Sequence, residues 1–270
     1  MGIARSVRGA IRKLKRAILN TDASFCDMHE DACARRVSHE YLGYISQHLR
    51  ERFGATKKLN ILDAGCQAGR LLIPLAEEGH RLIGIDASDF ALRRARQHAQ
   101  ERRLTVQLHR GDIAQLRNWM PPASLDVVIC TEVLYLCRNY EAILSLLAQS
   151  LQPGGLLCVS HRPAAYYAAV ALEHGADAQA ARVARQFDGP STDGDYHNWQ
   201  TESQLRMLYE RTGCSVLACE PIDRQARAIT LSGVTDAIVR QLLQPFQDHG
   251  TLRVPAYLLV IAQRASWAAA

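Results

Sequence analysis

No apolar run in this 270-residue chain approaches the roughly 18 residues that a membrane-spanning helix needs. There is no secretory apolar core near the start, so export is not expected and the chain reads as soluble and cytoplasmic. Eight cysteines are present, yet none forms a CxxC pair and no Cys/His cluster has zinc-ligand spacing. Cys66, Cys130 and Cys158 lie within or beside apolar strand-like runs, which predicts reduced, buried thiols. The alternative is a soft-metal or arsenic site built from thiols that only the fold brings together. Internal repeats and low-complexity tracts are also absent. A strong charge bias is missing too: 32 basic against 27 acidic residues give +5, too small an excess to argue nucleic-acid binding.

What is present is an ordinary globular composition, 48% hydrophobic and 22% charged, long enough for one sizeable α/β core or a core plus a modest second unit. Residues 3–19 place Ile3, Val7, Ile11, Leu14 and Ile18 on one helical face, with six basic residues around it and no acid before Asp22. Such a helix suits packing on the body, contact with an anionic membrane or partner, or a targeting role, and the sequence leaves the three open. A second helix is predicted over residues 32–52, ending near Gly54.

A regular alternation follows. Apolar runs at 59–63, 81–85, 104–108, 125–130 and 155–160 are interleaved with helical patterns at 70–79, 89–102 and 139–151. Strands alternating with helices of that length predict parallel βαβ units and a sheet covered on both faces. After His161 the rhythm breaks. One or two alanine-rich helices are predicted over 162–186, and 187–199 is turn-rich with aromatics. A capping box at Thr201–Gln204 should open a helix to about residue 211. Beyond it come a strand near 214–220, a helix over 233–248 and a last strand over 255–263.

The stretch "LNILDAGCQAGR" (59–70) decides which ligand fits the crevice at the strand ends. A dinucleotide turn reads GxGxxG, and its middle glycine lets the backbone approach a pyrophosphate. Gln67 stands where such a glycine is wanted, and Asp63 puts a carboxylate beside the loop. A cationic or zwitterionic ligand suits this turn better than a phosphate. The second strand ends in Asp86, 21 residues past Gly65, where a carboxylate can accept from two ribose hydroxyls. "RGDI" puts Asp112 at the same rim, able to accept from an exocyclic amine, and the fourth strand runs out into Thr131, Glu132 and Tyr135.

Together "ILDAGCQAGR", "GIDAS", "GDI", "LDVVICTEVLYL" and "LQPGGLLCVS" resemble the five motifs of the class I S-adenosylmethionine-dependent methyltransferases, in order and at domain spacing. The resemblance covers residues 59–158. It implies a three-layer Rossmann-like methyltransferase fold with a mostly parallel seven-stranded sheet, its last strand, over 255–263, antiparallel between its neighbours. It implies a helical extension over 1–54, a methyltransferase domain over 55–265, and substrate-lid insertions at 162–200 and 225–250. The cofactor implied is S-adenosyl-L-methionine. By the same resemblance, Asp63, Gly65 and Gly69 flank its methionine moiety, Asp86 holds the ribose, Asp112 and Ile113 contact adenine, and Cys130 and Thr131 line the site beneath the sulfonium. Gln67 departs from the family's middle glycine.

For the acceptor, His161, Glu132 and His197 are the candidate catalytic groups, His197 in a loop that could close as a lid. Some quinone-type O-methyltransferases carry E-x-x-E-H after the fourth strand; the run Glu132-Val-Leu-Tyr135-Leu136 lacks the second acid and the histidine, so no metal is expected. The aromatic and small-residue content of the insertions favours a small, apolar or lipid-like acceptor, with no nucleic-acid partner. The competing readings are a macromolecular acceptor, a non-catalytic member serving as a scaffold, and, against the missing GxGxxG, a nicotinamide oxidoreductase.

Overall fold

The computed structural model describes residues 27–28, 31–191, 194–227 and 229–266; the basic helix expected over 3–19 lies outside them. Helix α1 (Ala32–Phe53) starts where the Asp31 side chain accepts from the Ala34 N–H at 2.8 Å and stops at Gly54, whose φ of 82° few other residues adopt. Val37, Tyr41, Ile45 and Leu49 recur every fourth residue and are buried, so the helix lays one face on the sheet.

The strands follow the predicted rhythm: β1 (Asn60–Ala64), β2 (Arg81–Asp86), β3 (Val106–Arg110), β4 (Leu125–Cys130) and β5 (Leu151–His161), all parallel. Between them run α2 (Leu72–Glu77), α3 (Asp89–Glu101) and α4 (Tyr140–Ser150). Every residue of β4 is buried, as a central parallel strand covered on both faces requires. Residues of α1, α2 and α3 form one hydrophobic layer against the sheet. Those of α4 and α7 (Glu202–Arg211) form the other, which completes three layers. Helix α7 opens on the capping box expected at Thr201 and Gln204.

Two late strands close the sheet. Strand β10 (Thr251–Arg264) inserts antiparallel between β5 and β8 (Cys214–Arg227), giving the order β3-β2-β1-β4-β5-β10-β8. The expected seven strands are all there. An eighth, the two-residue β9 (Gln247–Asp248), pairs with the start of β10. Strands β8 and β10 each run 14 residues, longer than their apolar runs, because each satisfies the other's backbone from Leu252–Arg227 to Arg264–Cys214. The helix expected over 233–248 is shorter: Asp236 caps α8 (Ala237–Leu243), and Pro245 turns the chain into a single tight turn after it.

The extended ends of β8 and β10 carry a third core. Helices α5 (Ala164–Glu173) and α6 (Asp177–Val183), Trp199 and the 231–254 segment bury Ala168, Val183, Trp199, Leu231, Leu243 and Val254 together. Segments far apart in sequence thus pack into one cap above the carboxyl ends of β4 and β5. Strands β6 (Asp188–Pro190) and β7 (Tyr196–Asn198) form a short antiparallel ribbon beside it. None of the described helices is long and apolar enough to cross a membrane.

Candidate functional site

The loop after β1 is held by its own backbone. The N–H groups of Gly65 and Cys66 both donate to the Ile85 carbonyl, at 2.8 and 3.1 Å, and Gly69 N–H donates to Cys66. Gly65 has φ 87°, and a Cβ there would lie 2.4 Å from Val133 Cγ2, so the turn needs glycine for conformation and for space. Gln67 sits at φ 47°. Its side-chain oxygen accepts from the Ala68 N–H at 2.9 Å and the Met28 N–H at 3.3 Å. The side chain at the unusual position therefore works as a local cap of the turn.

The Gln67 N–H donates to Asp86 Oδ2 at 3.0 Å, and the Ser88 N–H donates to Oδ1 at 2.8 Å. The Ala87 N–H also bonds this carboxylate; of its roughly four acceptor positions, capacity remains for a ribose hydroxyl. Burial raises the Asp86 carboxyl above its ordinary value. Asp63, at the end of β1, is 2% exposed. Burial pushes its carboxyl up to about 7 against the pull of Arg70, with Asp86 adding to the rise. Asp112 is exposed; its Oδ1 accepts from the Ala114 N–H at 2.9 Å, so it caps the turn that buries Ile113.

Arg70, absent from the sequence-based expectations, joins this side of the rim to the next. It is 6% exposed, and Nη2 donates to Glu132 Oε1 at 2.8 Å and to Thr131 Oγ1 at 3.3 Å. Glu132, at φ 60°, holds its N–H on Ser160 Oγ at 2.7 Å and accepts from the Tyr257 hydroxyl at 3.0 Å. Arg162 Nη2 donates to that same hydroxyl at 2.8 Å. A single chain of contacts therefore runs Arg70–Glu132–Tyr257–Arg162, from the loop after β1 past the ends of β4 and β5 by way of the middle of β10. The signal for Arg70 in the sequence was a lone arginine after a glycine turn, which surface solvation explains equally well.

The three acceptor-side candidates part company. Glu132 is committed to Arg70 and Tyr257. His161 is 1% exposed, and its Nε2 shares a hydrogen bond with the Tyr209 hydroxyl of α7 at 2.9 Å; burial pushes its imidazole down to about 3, so it stays neutral. It ties β5 to α7, on the face of the sheet that carries α4. His197 packs edge-on against Tyr135 at 5.6 Å and lies 5.4 Å from Tyr167. Its segment is docked, not loose: the Asn198 amide donates to the Leu134 and Cys137 carbonyls, and Trp199 Nε1 donates to those of Val183 and Gln186. Cys130 and Cys158 are sealed in the core; burial drives Cys130 well above its ordinary value and Cys158 up to about 12, so both thiols stay protonated. The seven described cysteines are free thiols.

With this geometry in hand, comparison with known proteins gives three findings. A family model described as a methyltransferase domain matches residues 55–204. Ubiquinone biosynthesis O-methyltransferase from Rickettsia typhi is 30% identical over 141 residues, 52% of this chain and 54% of that protein. The protein of the same name from Idiomarina loihiensis is 34% identical over 139 residues, 52% and 53% of the two chains. The chain spans about half the length of the curated relatives it matches. Among solved structures, magnesium protoporphyrin IX methyltransferase from Synechocystis, with bound SAH, has a TM-score of 0.62 at 20% identity, covering 94% of this chain and 100% of that one. Burkholderia thailandensis 1,6-didemethyltoxoflavin-N1-methyltransferase has a TM-score of 0.58 at 16% identity, covering 94% and 90%. At these identities the solved structures establish the shared fold.

Proposed function

Because this chain belongs to the methyltransferase-domain family, we propose that it transfers a methyl group from S-adenosylmethionine to a small, largely apolar acceptor held under the cap. What supports the reading is the Asp86 carboxylate at the end of β2, with acceptor capacity left beyond its backbone bonds, set beside a turn in which Gln67 stands where a pyrophosphate-binding loop has glycine. The residues present fit the cofactor: Asp86 would hold the ribose, Asp112 and Ile113 would contact the adenine, and Asp63, Gly65, Gly69 and Thr131 would flank the methionine end.

When bound, S-adenosylmethionine supplies a methyl group on a sulfonium, transferred by in-line displacement at carbon. What the chain supplies is alignment and exclusion of water. The Arg70–Glu132–Tyr257 contacts fix the end of β4 against the first loop. Tyr135, Tyr167 and His197 wall the acceptor side with rings. His197 is the imidazole placed among these rings, and it takes the acceptor's proton where the acceptor is a hydroxyl. His161 and Glu132 act instead by holding α7 and Arg70.

The docked cap and the aromatic wall support a small acceptor. The O-methyltransferase name of the curated relatives supports a hydroxyl on a lipid-like molecule. The basic face of residues 3–19 would then carry the protein to an anionic membrane surface, where such an acceptor is found. Incubation with methyl-labelled S-adenosylmethionine and fractionated cell extract tests the reading. The expected result is S-adenosylhomocysteine together with one labelled, solvent-extractable product. Label in protein or RNA overturns the small acceptor; tight cofactor binding with no S-adenosylhomocysteine in any fraction overturns catalysis.

A further inference from the structure

The acceptor-side wall contains a cation that the reading above does not use. Arg162 follows β5 and is half-buried. Its guanidinium carbon lies 4.8 Å from the centroid of each of three tyrosine rings. Tyr135 comes from the turn after β4, Tyr166 from α5 and Tyr257 from β10, so three separate parts of the chain converge on one charge. Nη2 donates to the Tyr257 hydroxyl, while Nε is buried without a hydrogen-bond partner.

The neighbouring buried arginines differ. Arg70 is paired with Glu132 at 2.8 Å and Arg227 with Glu173. Among the described residues, Arg162 has no carboxylate partner. The one nearby carboxylate on its hydrogen-bond chain, Glu132, already balances Arg70. Rings offset part of the desolvation, but they carry no formal negative charge. A partly desolvated cation without a counterion is unfavourable, and an anion from outside would complete the arrangement. A guanidinium held between rings presents a flat fork of N–H donors, which matches the two oxygens of a carboxylate.

Resting on the methyltransferase reading, we propose that Arg162 is the recognition point for an anionic group on the methyl acceptor, and that the acceptor is an aromatic or similarly planar carboxylic acid. The carboxylate pairs with guanidinium N–H groups that Tyr257 and Tyr167 do not engage. The acceptor ring packs beside this cluster, which reaches His197 through Tyr135.

Benzoate and benzamide, equal in shape and different in charge, test this on the full chain saturated with S-adenosylhomocysteine. Binding is followed by arginine side-chain nitrogen NMR and by calorimetry. Benzoate should bind at least about tenfold more tightly than benzamide, as one charge-assisted bidentate contact allows. Arg162→Lys, which keeps the charge and loses the fork, should weaken benzoate about tenfold, leave benzamide within about threefold and leave the S-adenosylhomocysteine affinity unchanged. Equal binding of the two probes, or a benzoate affinity indifferent to Arg162→Lys, overturns the inference while leaving the methyltransferase reading intact. Absence of S-adenosylhomocysteine binding overturns that reading instead. Should the variant fold poorly, the ratio of the two probes on the native chain decides alone.

Discussion

On the β1–β3 side of the rim, backbone N–H groups set the polar side chains, mostly from their own or the adjacent turn: Asp86 by Ser88 and by Gln67 of the neighbouring loop, Asp112 by Ala114, Gln67 by Ala68 and by Met28. On the β4–β5 side, the side-chain contacts that cross the rim join parts of the chain far apart in sequence: Arg70 to Glu132, Glu132 to Tyr257, Tyr257 to Arg162, Asn198 to the turn after β4. The first side is rigid because local backbone conformation makes it so. The second is rigid only once the whole sheet and its cap have assembled. A cofactor common to many relatives suits the first kind of construction, and an acceptor that differs among them suits the second.

The largest effect that would sharpen this contrast is expected at Glu132. Glu132→Gln takes away the carboxylate that Arg70 is hydrogen-bonded to, leaving only the more distant Asp63 charge, and unfolding in denaturant should show a loss of about 3 kcal/mol. Adding Arg70→Met should restore most of it, because both halves of the pair are then gone. A loss below about 1 kcal/mol would mean that the long-range network does not hold the acceptor side together.

A second effect belongs to the local side and depends on pH. The Asp63 carboxyl rises from 3.8 to about 7 on folding. Between those limits the folded chain binds the proton more tightly than the unfolded one, so Asp63 makes the fold less stable as pH rises from about 4 to about 7. Asp63→Asn should therefore be more stable than the native chain at pH 8, by on the order of a few kcal/mol, with the gain vanishing below about pH 4. Urea unfolding at several pH values measures it; a difference independent of pH would show that Asp63 is not desolvated.

The smallest effect is expected at the cap. Trp199→Phe removes an N–H shared by two carbonyls, and about 1–2 kcal/mol of local stability should go with it. Amide exchange over residues 177–199 should accelerate while S-adenosylhomocysteine affinity holds. Unchanged exchange would mean that the indole does not pin the cap.

The same division explains what the sequence made legible. The five parallel strands, the capping box at Thr201 and the antiparallel last strand were readable because their signals are local or follow motif order. Glycines at 65 and 69 announced a turn, and acids at 63, 86 and 112 announced the rim. Arg70 and Arg162 were not readable as a linked pair: they lie 92 positions apart, and only β10, inserted beside β5, brings Tyr257 between them. His161 misled for a related reason. Its place at a strand end suggested the crevice, but the strand's alternation turns it onto Tyr209. The length of β8 and β10 was hidden because their outer halves, such as "PIDRQAR", alternate polar residues with Ile222 and read as loop.

The central claim, that strand-end carboxylates cradle an adenosyl group, is tested most directly by calorimetric titration of S-adenosylhomocysteine into the native chain and Asp86→Asn. The account predicts saturable one-to-one binding that weakens at least about tenfold in the variant, because a charge-assisted hydrogen bond to the ribose is lost. No binding to the native chain, or equal affinity in the two proteins, would contradict it.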